Sequence, residues 1–481
     1  LIRVQNVGAA RFVTCLLHKG RGVVTLVHNY PGRSLIGKPN NPMKKINRYS
    51  LIAASLAAGF ALGGSARGQT SDASLNALVK KGILTEQEAK DALADQQMKS
   101  GLTNMIVRPR GNESKLLLEG FLQANTELGD AASFEGKLTG GPNQVDPRIR
   151  LRRARIGVMG DFYDDFDFKL EGDFSQNDGT SPGNRSDFSA TDIYINYHKF
   201  AEMNLRVGQF FAPFGYEMLI PDVGPGQVLL SAERSLVTIA TVPERQVGAM
   251  LWGQPLATIA PDQASLLNYQ IGAFNGDGRN VLTNDNSKFM YVGRIESVPY
   301  SGKFFGQDVK WRLGANALYT VDSTGTVIDP IGNFKVNTTD GSLGTFTVPA
   351  PDERIGWGLD QTITIGPFDL TAEYLEMHVR PYTPTKAFPE FYANGYYVQP
   401  SLFVWGNKLQ LVAKYESFNP GQNISNDNIT SMTGGLNYYI HGKNVIAMLD
   451  YIHTWSEYRQ DHPADGKDQF NEVLLRLEFY F

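Results

Sequence analysis

From Lys115 to its end the chain alternates apolar and polar residues with a period of two. In "FDFKLEGDF", Phe166, Phe168, Leu170, Gly172 and Phe174 interleave with Asp167, Lys169, Glu171 and Asp173. In "VKWRLGANALYTV", Val309, Trp311, Leu313, Ala315, Ala317 and Tyr319 stand against Lys310, Arg312, Asn316 and Thr320. Successive side chains of a strand point to opposite faces, so each segment predicts a sheet with one apolar and one charged surface. Sixteen such segments are read, at 115–128, 148–162, 166–174, 191–199, 203–212, 245–253, 266–275, 289–298, 308–321, 353–365, 367–380, 394–405, 408–418, 430–440, 444–455 and 470–481. Short connections such as Asp164-Asp165, Gly366-Pro367, Gly406-Asn407 and His441-Gly442-Lys443 take turns with long polar loops. The connections 254–265 and 299–307 are longer than this alternation wants.

An even number of two-faced strands, short turns at one end and long loops at the other predict an all-β fold: a transmembrane antiparallel β-barrel of sixteen strands. Lipid cannot satisfy an open sheet edge, so a sheet spans a membrane only when closed. Eight strands would let side chains fill the interior, whereas sixteen leave an aqueous lumen. The end of the chain, "EVLLRLEFYF", sets Val473, Leu475, Leu477, Phe479 and Phe481 on one face and resembles the terminal strand of bacterial outer-membrane barrels. A buried strand of a soluble β-sandwich is the competing reading.

The segment upstream decides between them. "MKKINRYSLIAASLAAGFALGGSARGQ" has a cationic start (Lys44, Lys45, Arg48), an apolar stretch from Leu51 to Leu62 and small residues after it. That order predicts a secretory signal peptide over 43–68, too short in its apolar part to span a bilayer. Residues 1–42 then read as an over-extended start. Over 69–114 the period changes. Leu75, Leu78 and Val79 fall at helical spacing, and Thr85 with Glu88 forms a capping box, so a periplasmic helical extension is expected ahead of the barrel domain at 115–481. Residues 1–66 hold nine Lys or Arg and no Asp or Glu, which leaves 36 basic against 49 acidic residues downstream, a net of −13. A chain this acidic argues against nucleic acid as a partner. Its one cysteine, Cys15, lies upstream, so the exported part has neither disulfides nor cysteine metal sites.

Against that acidic background, "RIRLRRARIGVMG" packs Arg148, Arg150, Arg152, Arg153 and Arg155 into eight residues at the head of an apolar run. Within "LRRARIGVMGDFYDDFDFKLEGDF" this stretch resembles the signature of the porin O/P family, the phosphate- and polyphosphate-selective porins of bacterial outer membranes. "LRVGQFFAPFGYE", "AERSL", "ERQVGAML", "NGDGR", "VGRIES", "GYYVQPSLF", "GGLNYYI" and "LRLEFYF" are similar to further parts of it, so the resemblance covers about 115–481. It implies a homotrimer of sixteen-stranded barrels, embedded in outer-membrane lipid and lipopolysaccharide, whose third loop folds inward to narrow a pore for small anions. The Gly/Pro-rich stretch 213–244 has the length for that loop. The resemblance places Arg152 and Arg153 at the anion constriction, and Glu233 with Arg234 in the inward loop.

Neighbouring residues of a regular strand face opposite ways, so Arg152 and Arg153 both reach the lumen only across a bulge or at a strand end. The inward loop carries Arg234 but no lysine, against Glu217, Asp222, Glu233 and Glu244, and phosphate needs convergent positive donors. Modest anion preference is therefore expected. The cationic pore groups are Arg152, Arg153, Arg155, Lys169, Arg206, Arg234 and Arg312, opposed by Asp167, Glu171, Asp173 and Glu233. His198, His378, His441, His453 and His462 are scattered, and no HExxH, GxSxG or phosphate-loop pattern occurs. No catalytic residue, cofactor or metal is assigned. "NGDGRNVLTNDN" (275–286) clusters Asp277 and Asp285 but lacks calcium-loop spacing. Two other barrels are weighed: one plugged by its own loops and serving as a structural or adhesive surface protein, and one hydrolysing lipid.

Overall fold

The computed structural model describes residues 2–7, 10–15, 25–28, 115–130, 147–163, 165–176, 187–222, 231, 234–322, 335–336, 343–344, 351–382, 389–421, 426–463 and 468–481. The expected signal peptide at 43–68 and helical extension at 69–114 lie outside them. Ile2–Val7, Ala10–Cys15 and Thr25–His28 form a small antiparallel sheet in a unit of their own.

Among the described residues of the second unit, sixteen strands close into one antiparallel barrel, each hydrogen-bonded to its sequence neighbours. They are β1 (Lys115–Gly129), β2 (Arg148–Phe162), β3 (Phe166–Gln176), β4 (Asp187–Tyr197), β5 (Asn204–Phe211), β6 (Arg245–Gly253), β7 (Asn268–Phe274) and β8 (Met290–Phe304). The circle continues with β9 (Gln307–Asp322), β10 (Asp352–Ile365), β11 (Phe368–Pro381), β12 (Phe391–Trp405), β13 (Leu409–Asn419), β14 (Ile429–Lys443), β15 (Val445–Ser456) and β16 (Gln469–Tyr480). All sixteen segments read from the alternation are strands. The connection 299–307 proves shorter than it looked, because β8 and β9 run on until Phe304 faces Gln307. Phe305 and Gly306, with φ of 48° and 78°, make the two-residue turn, whose positive angles match the twist of the flanking strands. The connection 254–265 contains a short 3-10 turn, Pro261–Leu266.

The barrel seam joins β16 to β1 with Tyr480 opposite Phe121. At its end the Gly120 and Phe481 backbones exchange hydrogen bonds of 2.9 and 3.0 Å. The Phe481 ring lies over Gly120, where a Cβ would come within 2.6 Å of Cζ, so a larger residue there would push the ring aside. Outward positions are apolar and exposed to the bilayer, as at Ile149, Leu170, Ile195, Ile271, Leu359 and Leu477; inward ones are polar and buried, as at Gln123, Asp173, Asn316 and Asp450. This is the inverse of a soluble protein and the pattern of a membrane barrel.

One part of the lumen breaks that pattern. Met290, Val292, Leu318, Leu375, Met377, Val379, Phe391 and Phe418 point inward from β8, β9, β11, β12 and β13, and are buried. They pack against Phe214, Met218, Leu236, Val237, Ala240 and Val242 of the segment between β5 and β6. Apolar burial of this kind contributes about 1.5–3 kcal/mol per large side chain, so the segment docks inside the barrel as a hydrophobic layer. It carries two short helices, α1 (Tyr216–Leu219) and α2 (Leu236–Thr241).

Candidate functional site: the pore constriction

The arginines of β2 reach the water because the strand is bulged. Leu151 pairs with Ala124 and Arg153 with Gln123, leaving Arg152 as the extra residue. Above it Ile149 and Leu151 face out and Arg148 and Arg150 face in; below it Ile156 faces out and Arg153 and Arg155 are buried on the lumen side. One added residue thus moves the inward positions from even to odd numbers. Arg152 itself is half-buried within electrostatic reach of Arg153, and its carbonyl accepts a hydrogen bond from Ser175 Oγ.

Arg148, Arg150, Arg155, Lys169 and Arg245 each have an acid beside them. Arg148 and Arg150 pair with Glu127, the latter at 2.8 Å. Arg155 Nε meets Asp173 at 2.8 Å and its Nη1 meets Glu171 at 3.6 Å. Lys169 joins Glu119 at 2.7 Å to Glu171 at 3.0 Å. Arg245, on β6, grips Asp192 with Nε at 3.1 Å and Nη2 at 2.8 Å while its guanidinium lies 3.9 Å over the Phe211 ring.

The inward segment closes on this wall through one carboxylate. Asp222 takes Arg234 at 2.7 Å from its own loop, and from β2 Arg153 at 3.3 Å and Arg155 at 3.9 Å. Burial alone would raise the Asp222 carboxyl; Arg153, Arg234 and Arg155 outweigh it and hold the group well below the usual carboxylate range. On the opposite side the first amides of α1 and α2 donate to wall carboxylates: Tyr216 and Glu217 to Glu373 on β11, Leu236 to Glu416 on β13. Glu217 in turn accepts from Ser235 N at 2.8 Å, and Ser231 Oγ donates to Asp450 at 3.3 Å. The segment therefore spans the lumen, apolar toward β8–β13 and charged toward β2.

Of the expected pore groups, Arg153, Arg155, Lys169, Glu171, Asp173 and Arg234 gather at this constriction. Arg312 lies on another part of the wall, bound to Asp360 at 2.7 Å and Glu296 at 3.1 Å and 3.5 Å beneath the Tyr216 ring. Arg206 points inward over the Tyr194 ring at 4.2 Å with Phe210 and Trp252 beside it, so aromatic faces rather than a carboxylate hold it. Asp167 sits low in the barrel, 2.9 Å from Asn196 Nδ2 and 3.4 Å from His198. It lines a cavity of about 720 Å³ with Asn204, Trp252 and Arg294. Glu233 lies outside the described residues. The sequence reading missed Arg245, Asp192, Glu373 and Glu416, and counted Asp222 only as loop charge. Parity along β4, β11 and β13 marks Asp192, Glu373 and Glu416 as inward, whereas Arg245 shares the outward parity of Leu251 and turns in only because it starts β6; nothing in a strand pattern says which inward acid meets a loop amide. The aspartates of 275–286 join no group suited to a metal among the described residues.

The family model for phosphate-selective porin O and P matches residues 128–250 and 335–481. The chain belongs to that family. It is an outer-membrane porin, a β-barrel channel of the bacterial outer membrane. Porin O of Pseudomonas aeruginosa is 26% identical over 324 residues, 64% of this chain and 69% of the relative. The anion-selective porin of Comamonas acidovorans superposes with a TM-score of 0.50 at 11% identity, over 77% of this chain and 100% of its own, a likeness of fold. The trimer form of OmpT from Vibrio cholerae gives 0.48 at 13% identity, over 77% and 100% of the two chains. Unlike the lysine-bearing inward loops expected of phosphate-selective members, 213–244 of this porin has Arg234 as its sole Lys or Arg.

Proposed function

We propose that this porin is a passive diffusion channel for small hydrophilic solutes with a modest preference for anions, set where β2 faces the inward loop. The observation that carries the reading is the bulge at Arg152, which turns Arg153 and Arg155 into the water beside Asp222 and Arg234. Arg152, Lys169, Arg206 and Arg312 extend the cationic lining, while Asp167, Glu171, Asp173 and Glu233 oppose it and keep selectivity low. Fixed charge in a narrow lumen raises the local concentration of counter-charged solute, and ion pairing reduces that field without abolishing it. Phosphate is one small anion of the accepted class rather than a tightly held ligand, since the described part of the loop brings one guanidinium and no ammonium to the constriction.

The working form is a homotrimer in contact with outer-membrane lipid and lipopolysaccharide, exported by the 43–68 signal and preceded by the 69–114 extension. Purified protein in planar bilayers under a KCl gradient tests the proposal. A reversal potential on the anion side that collapses in Arg153→Ala/Arg155→Ala is expected. Cation preference in the unmodified protein would overturn the ion preference, and absence of conductance would favour a loop-plugged barrel.

A further inference from the structure

The connection between β7 and β8, residues 275–289, is clipped to strands of the barrel wall on both sides of one arginine. Gly278 N donates to Gln246 Oε1 on β6 at 2.9 Å, and Asn280 N donates to Gln209 Oε1 on β5 at 2.6 Å. Gln209 returns a hydrogen bond from Nε2 to Asn280 Oδ1 at 3.1 Å, and Asn280 Nδ2 reaches Ser189 Oγ on β4 at 2.8 Å. The residue between them is Arg279. Backbone shape makes this possible: Gly276, Gly278 and Asn280 take φ of 95°, 93° and 64°, the left-handed region that glycine enters freely and asparagine better than most residues. "NGDGRN" places those residue types at the three positions that need them.

Clipped in this way, half-buried Arg279 lies within electrostatic reach of Glu244, Arg245, Arg155 and Asp173. Two of those four are constriction cations with their own acid partners, at the level where β2, β3 and β6 meet the inward loop. Glu244, at the end of that loop, adds an exposed negative charge to the same place.

We infer that 275–289 is a second, smaller inward element whose purpose is to set Arg279 on the outer rim of the constriction, where it is a specificity-determining residue for ion passage. Gln209 and Gln246 are its positioning residues. Arg279 offsets Glu244 and keeps the rim from turning net negative at the point where an anion approaches Arg155 and Arg245. The inference rests on the anion-preferring reading above and adds a residue supplied by a different loop.

The test is reversal potential in KCl gradients at 0.1 M for Arg279→Ala, Arg279→Glu, Arg279→Lys and the clip variant Gln209→Ala/Gln246→Ala, with Arg153→Ala alongside. The expected result is a fall of about three-fold in the anion-to-cation permeability ratio for Arg279→Ala and about ten-fold for Arg279→Glu, with Arg279→Lys close to the parent. The clip variant should fall with Arg279→Ala although its charge is unchanged, a shift that a merely structural loop would not give. Unchanged ratios in the Arg279 variants while Arg153→Ala shifts would overturn the inference and leave the anion reading standing. Unchanged ratios in both would overturn both. Heat-dependent gel mobility of each variant shows whether the barrel is folded, and Arg279→Lys supplies the folded comparison if the charge reversal does not assemble.

Discussion

Asp222→Asn should convert a nearly neutral constriction into a positively charged one. Among the described residues, Arg153, Arg155, Lys169, Arg234 and Arg245 face Asp222, Asp173, Glu171, Glu119 and Asp192, five cations against five acids. Replacing Asp222 by its neutral isostere leaves one positive charge unbalanced, concentrated on the guanidiniums of Arg153 and Arg234 that it held at 3.3 and 2.7 Å. A monovalent ion passing about 4 Å from an uncompensated charge in water gains or loses about 1 kcal/mol, roughly five-fold in local population. Anions gain it and cations lose it. With screening at 0.1 M, where the Debye length is about 10 Å, the permeability ratio should move toward anions by about ten-fold, and by only about two- to three-fold at 1 M. Reversal potentials at the two salt concentrations measure this, and Arg153→Ala/Asp222→Asn should return toward the parent value. A shift toward cations, or none at either salt in a folded barrel, would refute the charge accounting. Acid should not mimic the substitution. The Asp222 carboxyl is depressed in the folded protein, so the stability and charge balance it provides are fully present above its unfolded pKa of about 3.8. They are lost only as pH falls through its much lower folded value, and selectivity due to this group should stay flat from pH 8 to pH 4.

Deleting Arg152 should remove the bulge without shifting either half of β2: Leu151 then precedes Arg153, the pairs Ala124–Leu151 and Gln123–Arg153 stand, and Arg148 and Arg150 keep Glu127. Urea unfolding from vesicles should change by less than about 1 kcal/mol, whereas a loss of about 3 kcal/mol or more, the cost of leaving buried Glu127 without partners, would contradict the bulge assignment. Gly120→Val should slow or block assembly by lifting Phe481 off the seam, seen as protein that never acquires heat-modifiable gel mobility, whereas folding at the parent rate would show that the ring contact is dispensable. In the 275–289 loop, burial and a hydrogen bond with Asp285 push the Asp277 carboxyl up to about 6. A raised carboxyl favours the protonated folded loop, so protection of its amides from hydrogen exchange should fall as pH rises from about 4 through 6. Asp277→Asn should remove that dependence, and a flat parent profile would be evidence against the shared proton.

The strands were legible because a membrane barrel writes its two solvents into alternate residues. "FDFKLEGDF" gave the lipid face of β3 and its lumen charges without ambiguity. Two things were hidden. One is the apolar part of the lumen: Leu375, Met377 and Val379 face inward while Glu376, His378 and Arg380 of the same strand face out, reversing the usual sense, because the inward loop rather than water lies against them. The other is partner choice. The sequence shows Asp222, Glu373 and Glu416 as acids, but that one clasps arginines and the others receive helix amides depends on a loop crossing the lumen, which no local pattern encodes. The terminal Phe is legible as a strand-end signal, but its seat on Gly120 depends on the closed seam.

The bulge at Arg152 also changes what mutation can do to this wall. Over 148–162 the two halves of one strand run in opposite phase, joined at a single residue. A lysine in place of any one arginine would keep a cation in the water. A residue gained on either side of 152, by contrast, would turn half of the column into the bilayer, whereas a residue lost beside 152 is taken up as the bulge straightens, so this wall tolerates shortening better than lengthening.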